Sequence, residues 1–305
     1  MAYLSNWLLL ANAQSHPKLT LKTEMDKMKS STKPNQNLRI WHVGNWCAHW
    51  GNEFRESAFR SSIKDFEVLN YARFLIRALE RIPGAEVSSI PSWELYRMSP
   101  EQFAEKLAWA TTIIFGDVET QSLHLNPSFF ANQFASQSVT FPDRFDILKT
   151  WIKNGGHFHM NGGWFSFGGH QGYGRWARSS WQKDTKEVVL PVECLEGDDL
   201  IESTAAFEVR TAAKKHPAVQ GLDWSSVPPI LGFNETRPSP GGKVIVQIRH
   251  GNNWYPLLAE RRMGRGRTTA WTTSASPHWG LNFMKWKQYD QFWDQLFSPS
   301  AGGKQ

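Results

Sequence analysis

Four short apolar runs constrain the fold more than any other feature of this chain. They are LRIWHVG from Leu38, AEVSSIP from Ala85, TTIIFGDVE from Thr111 and HFHMNGG from His157, and they alternate with segments of helical period. Three such segments stand between or beside them. DFEVLNYARFLIRALERIPG carries Phe66, Leu69, Phe74, Leu75, Ala78 and Ile82 at helical spacing before a Pro-Gly stop. SPEQFAEKLAWA opens on Ser99 as N-cap with Pro100 at the first helical position, and PDRFDILKTWIKNGG closes on glycine. Strands alternating with helices predict a mostly parallel sheet covered on both faces, with its ligand crevice at the carboxyl ends of the strands. Those ends are the loops after Asn45, Gly116 and Gly162, the first of them the aromatic stretch WCAHWGNEF.

The second half changes character. KVIVQIRHGNNWYPLLAERRMGRGRTTAWTTSASPHWG reads as three strands joined by Gly-Asn-Asn and Met-Gly-Arg-Gly turns, an antiparallel extension, and NFMKWKQYDQFWDQLF reads as a closing amphipathic helix. One domain over 38–297 accounts for the 305 residues, between a polar arm at 1–37 and a tail at 298–305. Near the start, Ala11-Asn12-Ala13 is like a signal-peptidase site, but no basic residue precedes the short apolar patch before it.

Charge and cysteine usage narrow the function classes. The net charge of +6 is scattered, and its densest cluster, Arg261 to Arg267, reads as a hairpin, so no nucleic-acid partner is expected. No apolar run reaches the roughly 20 residues of a spanning helix, so no membrane partner is expected. The two cysteines, Cys47 and Cys194, lie far apart without metal-ligand spacing, which fits a reducing, cytoplasmic setting.

The stretch most suggestive of chemistry is GGHFHMNGGWFSFGGHQGYGRW, Gly155 to Trp176, where a strand runs into a glycine-rich turn. Many α/β enzymes display a nucleophile on such an elbow. Together with VLPVECLEGDD, HPAVQGL, PPILGFNETR and GRGRTTAWTTSASPHWG, in order along the chain, it resembles the glutamine amidotransferase-like family of the class I glutamine amidotransferase superfamily. Relatives of that family include the ThuA-like proteins and the trimerisation domain of some β-galactosidases. The resemblance implies a flavodoxin-like three-layer α/β fold over most of Leu38 to Phe297, and oligomeric assembly as in the β-galactosidase relatives. True class I amidotransferases hydrolyse glutamine with a Cys-His-Glu triad, the cysteine on the elbow. Here Gly163 or Trp164 stands in the cysteine's place, and the late strand keeps His278 but follows it with Trp279 and Gly280 where a Pro-Glu would be. The resemblance therefore implies the fold and the place of the pocket without the triad.

The remaining candidates each carry two readings. Cys47 follows the first strand with His49 two residues on, and is either a reactive thiol able to replace the elbow cysteine or a small packed side chain. Asp117 and Glu119 share a side if the third strand stays extended, as a functional carboxylate pair, or else Asp117 caps the loop that follows. His157 and His159 share a face, with His170 further on, and suit either packing or a metal completed by His278 or Asp117; packing is the expectation, with no metal and no cofactor. Arg175 and Trp176 suit an anionic ligand or a tied-down loop, and Asn234, Glu235 and Arg237 of GFNETR pose the same choice, turn chemistry being favoured for Asn234. Of the 16 tryptophans, Trp46, Trp50, Trp164, Trp176 and Trp279 fall in loops that converge on one crevice, whereas Trp151, Trp286 and Trp293 fit helix faces.

The expected site thus comprises His278 as acid or base with Asp117 or Glu119, Cys47 as the alternative nucleophile, and Trp46, Gly162, Gly163, Trp164, Ser166, Arg175, Trp176 and Trp279 as ligand-binding residues. The expected activity is binding of, or action on, a small polar metabolite such as a carbohydrate derivative. A structural or oligomerisation module and a Cys47-dependent glutaminase are the alternatives.

Overall fold

The structure is a computed structural model that describes residues 37–52, 63–124, 143–169, 181, 189–195 and 197–298. Its centre is a sheet of eight strands in the order β4-β1-β5-β6-β14-β13-β12-β9. Five are parallel: β4 (Glu86–Ile90), β1 (Arg39–Gly44), β5 (Thr112–Gly116), β6 (His157–Asn161) and β14 (Gly266–Trp271). β13 (Asn253–Met263), β12 (Lys243–His250) and β9 (Val209–Thr211) continue it antiparallel, as the late hairpins predict. Taking the parallel strands in sequence, the order is 2-1-3-4-5, the flavodoxin-like winding, and its direction reverses between β1 and β5.

Residues of successive parity bury on opposite faces, and the sheet has a core on each. Ile40 and Ile114 pack with Leu75 and Leu79 of α1 (Arg73–Leu79) and with Phe292, Trp293 and Leu296 of α6 (Tyr289–Phe297). Trp41, Val43, Ile113, Phe115 and Phe158 pack against the other layer. That layer holds α2 (Ser92–Arg97), α3 (Pro100–Trp109), α4 (Gln121–His124) and α5 (Arg144–Lys153). Two of these helices begin on side-chain caps, the first of them at Ser99 as its sequence predicts. Ser99 accepts from the Gln102 amide while the Gln102 side chain accepts from Ser99 N–H, a reciprocal cap, and Asp143 accepts from Phe145 N–H at 2.8 Å.

The expected helix from Asp65 is only half right. Residues Ile63–Asn70 form β3, paired antiparallel with β2 (Trp46–Asn52), so WCAHW is a strand rather than a loop. Phe66 and Val68 alternate with Glu67 as well as fitting a helical stripe, and the cross-strand partner that decides between the two lies some twenty residues earlier. Helix α1 starts only at Arg73, whose N–H donates to Asn70 Oδ1 at 3.1 Å. The closing segment is likewise shorter than expected, a 3-10 turn at Phe283–Lys285 followed by α6.

One buried cation joins the helices of the second layer. Arg144 is 1% exposed, and its guanidinium donates to the carbonyls of Leu123 (3.1 Å), Leu95 (2.6 Å), Tyr96 (3.2 Å) and Met98 (3.0 Å). It thereby satisfies the carboxyl ends of α2 and α4, whose last carbonyls lack helical partners. Burial lowers its pKa to about 10, so it remains charged at neutral pH. Among the described residues no helix is long and apolar enough to cross a membrane. Replacing Arg144 with Met removes the guanidinium from all four carbonyls, and the expected outcome is a loss of about 3 kcal/mol, read from the urea midpoint at constant m-value.

Candidate functional site

The site is built at the carboxyl ends of β1, β5, β6 and β14, where two strands end on polar residues in the left-handed region. Asn45 (φ 53°) follows β1 and Asp117 (φ 56°) follows β5. Asparagine and aspartate tolerate this conformation better than other side chains, and each redirects its chain. Asn45 N–H donates to Gly116 O at 2.8 Å, and the Asn45 side chain lies where a β-carbon on residue 116 would sit, 1.9 Å from Oδ1. Only glycine fits there. Because β5 does not stay extended past Gly116, Asp117 and Glu119 do not form the expected same-side pair.

Asp117 turns onto the elbow that follows β6. Its Oδ1 accepts from Phe165 N–H at 3.1 Å, the Trp164 amide also donates to its carboxylate, and its own N–H donates to Ser166 Oγ at 3.2 Å. A β-carbon on residue 163 would lie 1.9 Å from Oδ1, which requires Gly163. The elbow amides of Trp164 and Phe165 are therefore already occupied by a carboxylate of the chain itself. Residues 162–169 form a tight loop without a helix. Gly162 anchors it to β14 by donating to Trp271 O (2.7 Å) and Thr273 O (2.9 Å).

The underside of the loop is held by two residues from elsewhere. Asn234, on β10 (Gly232–Asn234), accepts from Gly163 N–H at 3.0 Å and donates to Gly163 O (3.1 Å) and Asp199 Oδ1 (2.8 Å). Turn chemistry, the favoured reading for Asn234, is thus replaced by a buried staple. Asp199 accepts from Gly168 N–H (2.8 Å) and Gly169 N–H (3.0 Å), and burial raises its pKa to about 7 against these donors.

Above the loop opens a cavity of about 410 Å³. Aromatic walls are supplied by Trp46, Tyr71, Trp93, Trp164, Phe165 and Trp279, and polar lining by Asn45, Cys47, Ser92, Asp117, Ser274 and His278. His278 is exposed, lies at φ 83°, and has its ring 5.2 Å from that of Tyr71 and 6.2 Å from that of Trp164. Glu202, at the end of β8 (Leu200–Glu202), clamps two walls at once: Oε1 accepts from Trp279 Nε1 at 2.7 Å and Trp164 Nε1 at 3.4 Å. Burial raises the Asp117 pKa, opposed by the elbow amides and the nearby His278.

Of the expected site residues, Trp46, Cys47, Asp117, Gly163, Trp164, His278 and Trp279 line this cavity together. Gly162 and Ser166 support it from below. Glu119 is not in the lining, and burial raises its pKa. Arg175, Trp176 and His170 lie outside the described residues. Cys194 is buried on β7 (Val192–Cys194), with its thiol pKa pushed up by burial. Trp93, Tyr71, Asn45, Asp199 and Glu202 were not foreseen. Trp93 alone had a plain signal, since PSW follows the second strand at its carboxyl end just as the three chosen loops follow theirs.

His157 and His159 pack beneath α6, not in the crevice. His157 Nε2 and His159 Nδ1 both meet Thr269 Oγ1, at 2.8 and 2.7 Å, and His159 Nε2 donates to Asn161 Oδ1 at 2.9 Å. His157 and His159 both contact Phe297, and burial lowers both pKa values, that of His159 to about 3. Both are neutral links in a chain of hydrogen bonds. Among the described residues no group of three or more His, Cys, Asp or Glu is placed to hold a metal.

The family described as "Putative glutamine amidotransferase" matches residues 57–299. The chain belongs to that family. Two cytoplasmic proteins of Salmonella typhimurium, STM3548 and STM1381, are each 24% identical to it over 85% of its length and 98% of theirs, with TM-scores of 0.71 and 0.72. That likeness is one of fold. A ThuA-like protein from Bacteroides uniformis is 12% identical over 88% of this chain and 93% of its own, with a TM-score of 0.46. No curated protein matches.

Two outcomes test the architecture of the loop. Gly163→Ala forces the loop off Asp117 and is expected to lower stability by about 2–3 kcal/mol in chemical denaturation. Asp199 binds its proton in the folded state up to about pH 7 and in the unfolded state only to about pH 4. Its contribution to stability is therefore fully present below pH 4 and declines as pH rises towards 7, at up to about 1.4 kcal/mol per pH unit. The stability difference between the native chain and Asp199→Asn should narrow across that window in a pH series of unfolding curves.

Proposed function

We propose that this glutamine amidotransferase-like protein binds a small polar metabolite in the aromatic crevice at the β1/β5 switch point, and that it does not hydrolyse glutamine by an elbow nucleophile. The observation that carries this reading is the Asp117 carboxylate seated on the Trp164 and Phe165 amides. Those donors are what a thiolate-based acyl transfer needs for its oxyanion, and here an internal anion satisfies them. The cavity that remains has the size and lining of a small-molecule site, apolar walls with a few convergent polar groups. If bound metabolite is turned over, His278 is the group positioned to exchange a proton with it, beside the Asp117 carboxylate in the same lining.

Cys47 supports the alternative less well. It is exposed on β2 and lines the crevice, but it lies on an antiparallel ribbon outside the elbow. A thermal-shift panel of sugars, sugar acids, amino acids and small amines is expected to yield at least one stabilising compound whose shift disappears in Trp164→Ala. A panel with no stabilising compound would count against a ligand-binding crevice and for a structural module. Ammonia release from glutamine is expected to stay at background, and release that vanishes in Cys47→Ala would restore the glutaminase reading.

A further inference from the structure

We infer that the crevice selects an organic cation carrying an alkylated ammonium group; this rests on the ligand-binding reading above and narrows its ligand class. Three observations lead there. The first is the wall: Trp46, Tyr71, Trp93 and Trp164 surround the opening, and aromatic faces present negative potential to whatever lies between them. The second is charge. Among the described residues of the lining there is no Lys or Arg, and the acid is Asp117, which accepts from the elbow amides and has His278 nearby. An anionic ligand would meet the carboxylate and the ring faces together.

The third is that several polar groups of the lining are already engaged within the chain. Asn45 Oδ1 accepts from His42 Nε2 at 3.3 Å, and His42 is held neutral by burial with its pKa lowered to about 4. Ser274 Oγ accepts from Ser276 N–H at 3.2 Å and donates to Ser276 O at 3.3 Å. Asp117 faces the elbow. A hydroxyl-rich ligand finds these groups engaged and forfeits a hydrogen bond at each. An alkylated ammonium asks for none: it is a diffuse positive charge with an apolar surface, stabilised by ring faces and by the Asp117 carboxylate of the same lining.

The test is isothermal titration of the full chain, at one fixed pH and low salt, with choline, with tetramethylammonium and with 3,3-dimethylbutan-1-ol, which has the shape of choline without its charge. Choline is expected to bind at least about tenfold more tightly than the neutral alcohol. Trp164→Leu and Asp117→Asn should each reduce that ratio several-fold, with the fold of both variants checked by circular dichroism. A peptide bearing trimethyl-lysine separates a free cation from one carried on a larger molecule, and its binding supports the same head-group selectivity. Equal affinity for choline and its neutral counterpart overturns the cation inference and leaves the crevice reading standing. Absence of binding by these compounds and by the whole thermal-shift panel overturns both.

Discussion

The contact between the Asp117 carboxylate and the elbow amides is the constraint on which the rest of the site depends. It fixes the path of 163–166, requires glycine at 163, and sets Trp164 and Phe165 outward as two of the most exposed large apolar side chains in the molecule, 40% and 39%. It also separates architecture from chemistry. A tight loop over the end of a parallel sheet is a general place to stabilise negative charge, and a fold that offers it can receive that charge from a substrate or from its own chain. Here the chain supplies it, so the loop becomes a rigid part of a wall.

That rigidity is distributed through a second tier. Asn234 and Asp199 come from segments about 35 residues apart and meet under the loop, where Asn234 bonds both the amide and the carbonyl of Gly163. Glu202, a few residues after Asp199, then reaches the upper side and holds Trp164 and Trp279 by their indole N–H groups. One short stretch, 199–202, thus controls the loop from below and the aromatic wall from above. The second half of the chain thus both buttresses the crevice and supplies part of its wall, through Ser274, His278 and Trp279.

Much of the fold was legible because its signals are local. The parallel strands end where glycines and acids interrupt apolar runs, and Ser99 and Asp143 mark helix starts through their own side chains. The ribbon β2–β3 was not legible, because Phe66 and Val68 satisfy two periods at once and only pairing with Ala48 and Trp50 selects one. For the site, position proved easier to read than role. The sequence places Asp117, Trp164 and His278 near one another through the strand-end rule, but that Asp117 faces inward depends on a φ of 56° that no pattern announces. The role of Asn234 was misread and Asp199 was missed for the same reason: their partners are backbone groups 30 to 70 residues away.

The left-handed backbone at Asn45, Asp117 and His278 has a wider meaning. All three residues line the same cavity, and each turns its chain at the mouth of the crevice. The polar rim is thus set by backbone conformation as much as by side-chain type, so a β-branched residue at any of the three would redirect the chain as well as change the lining.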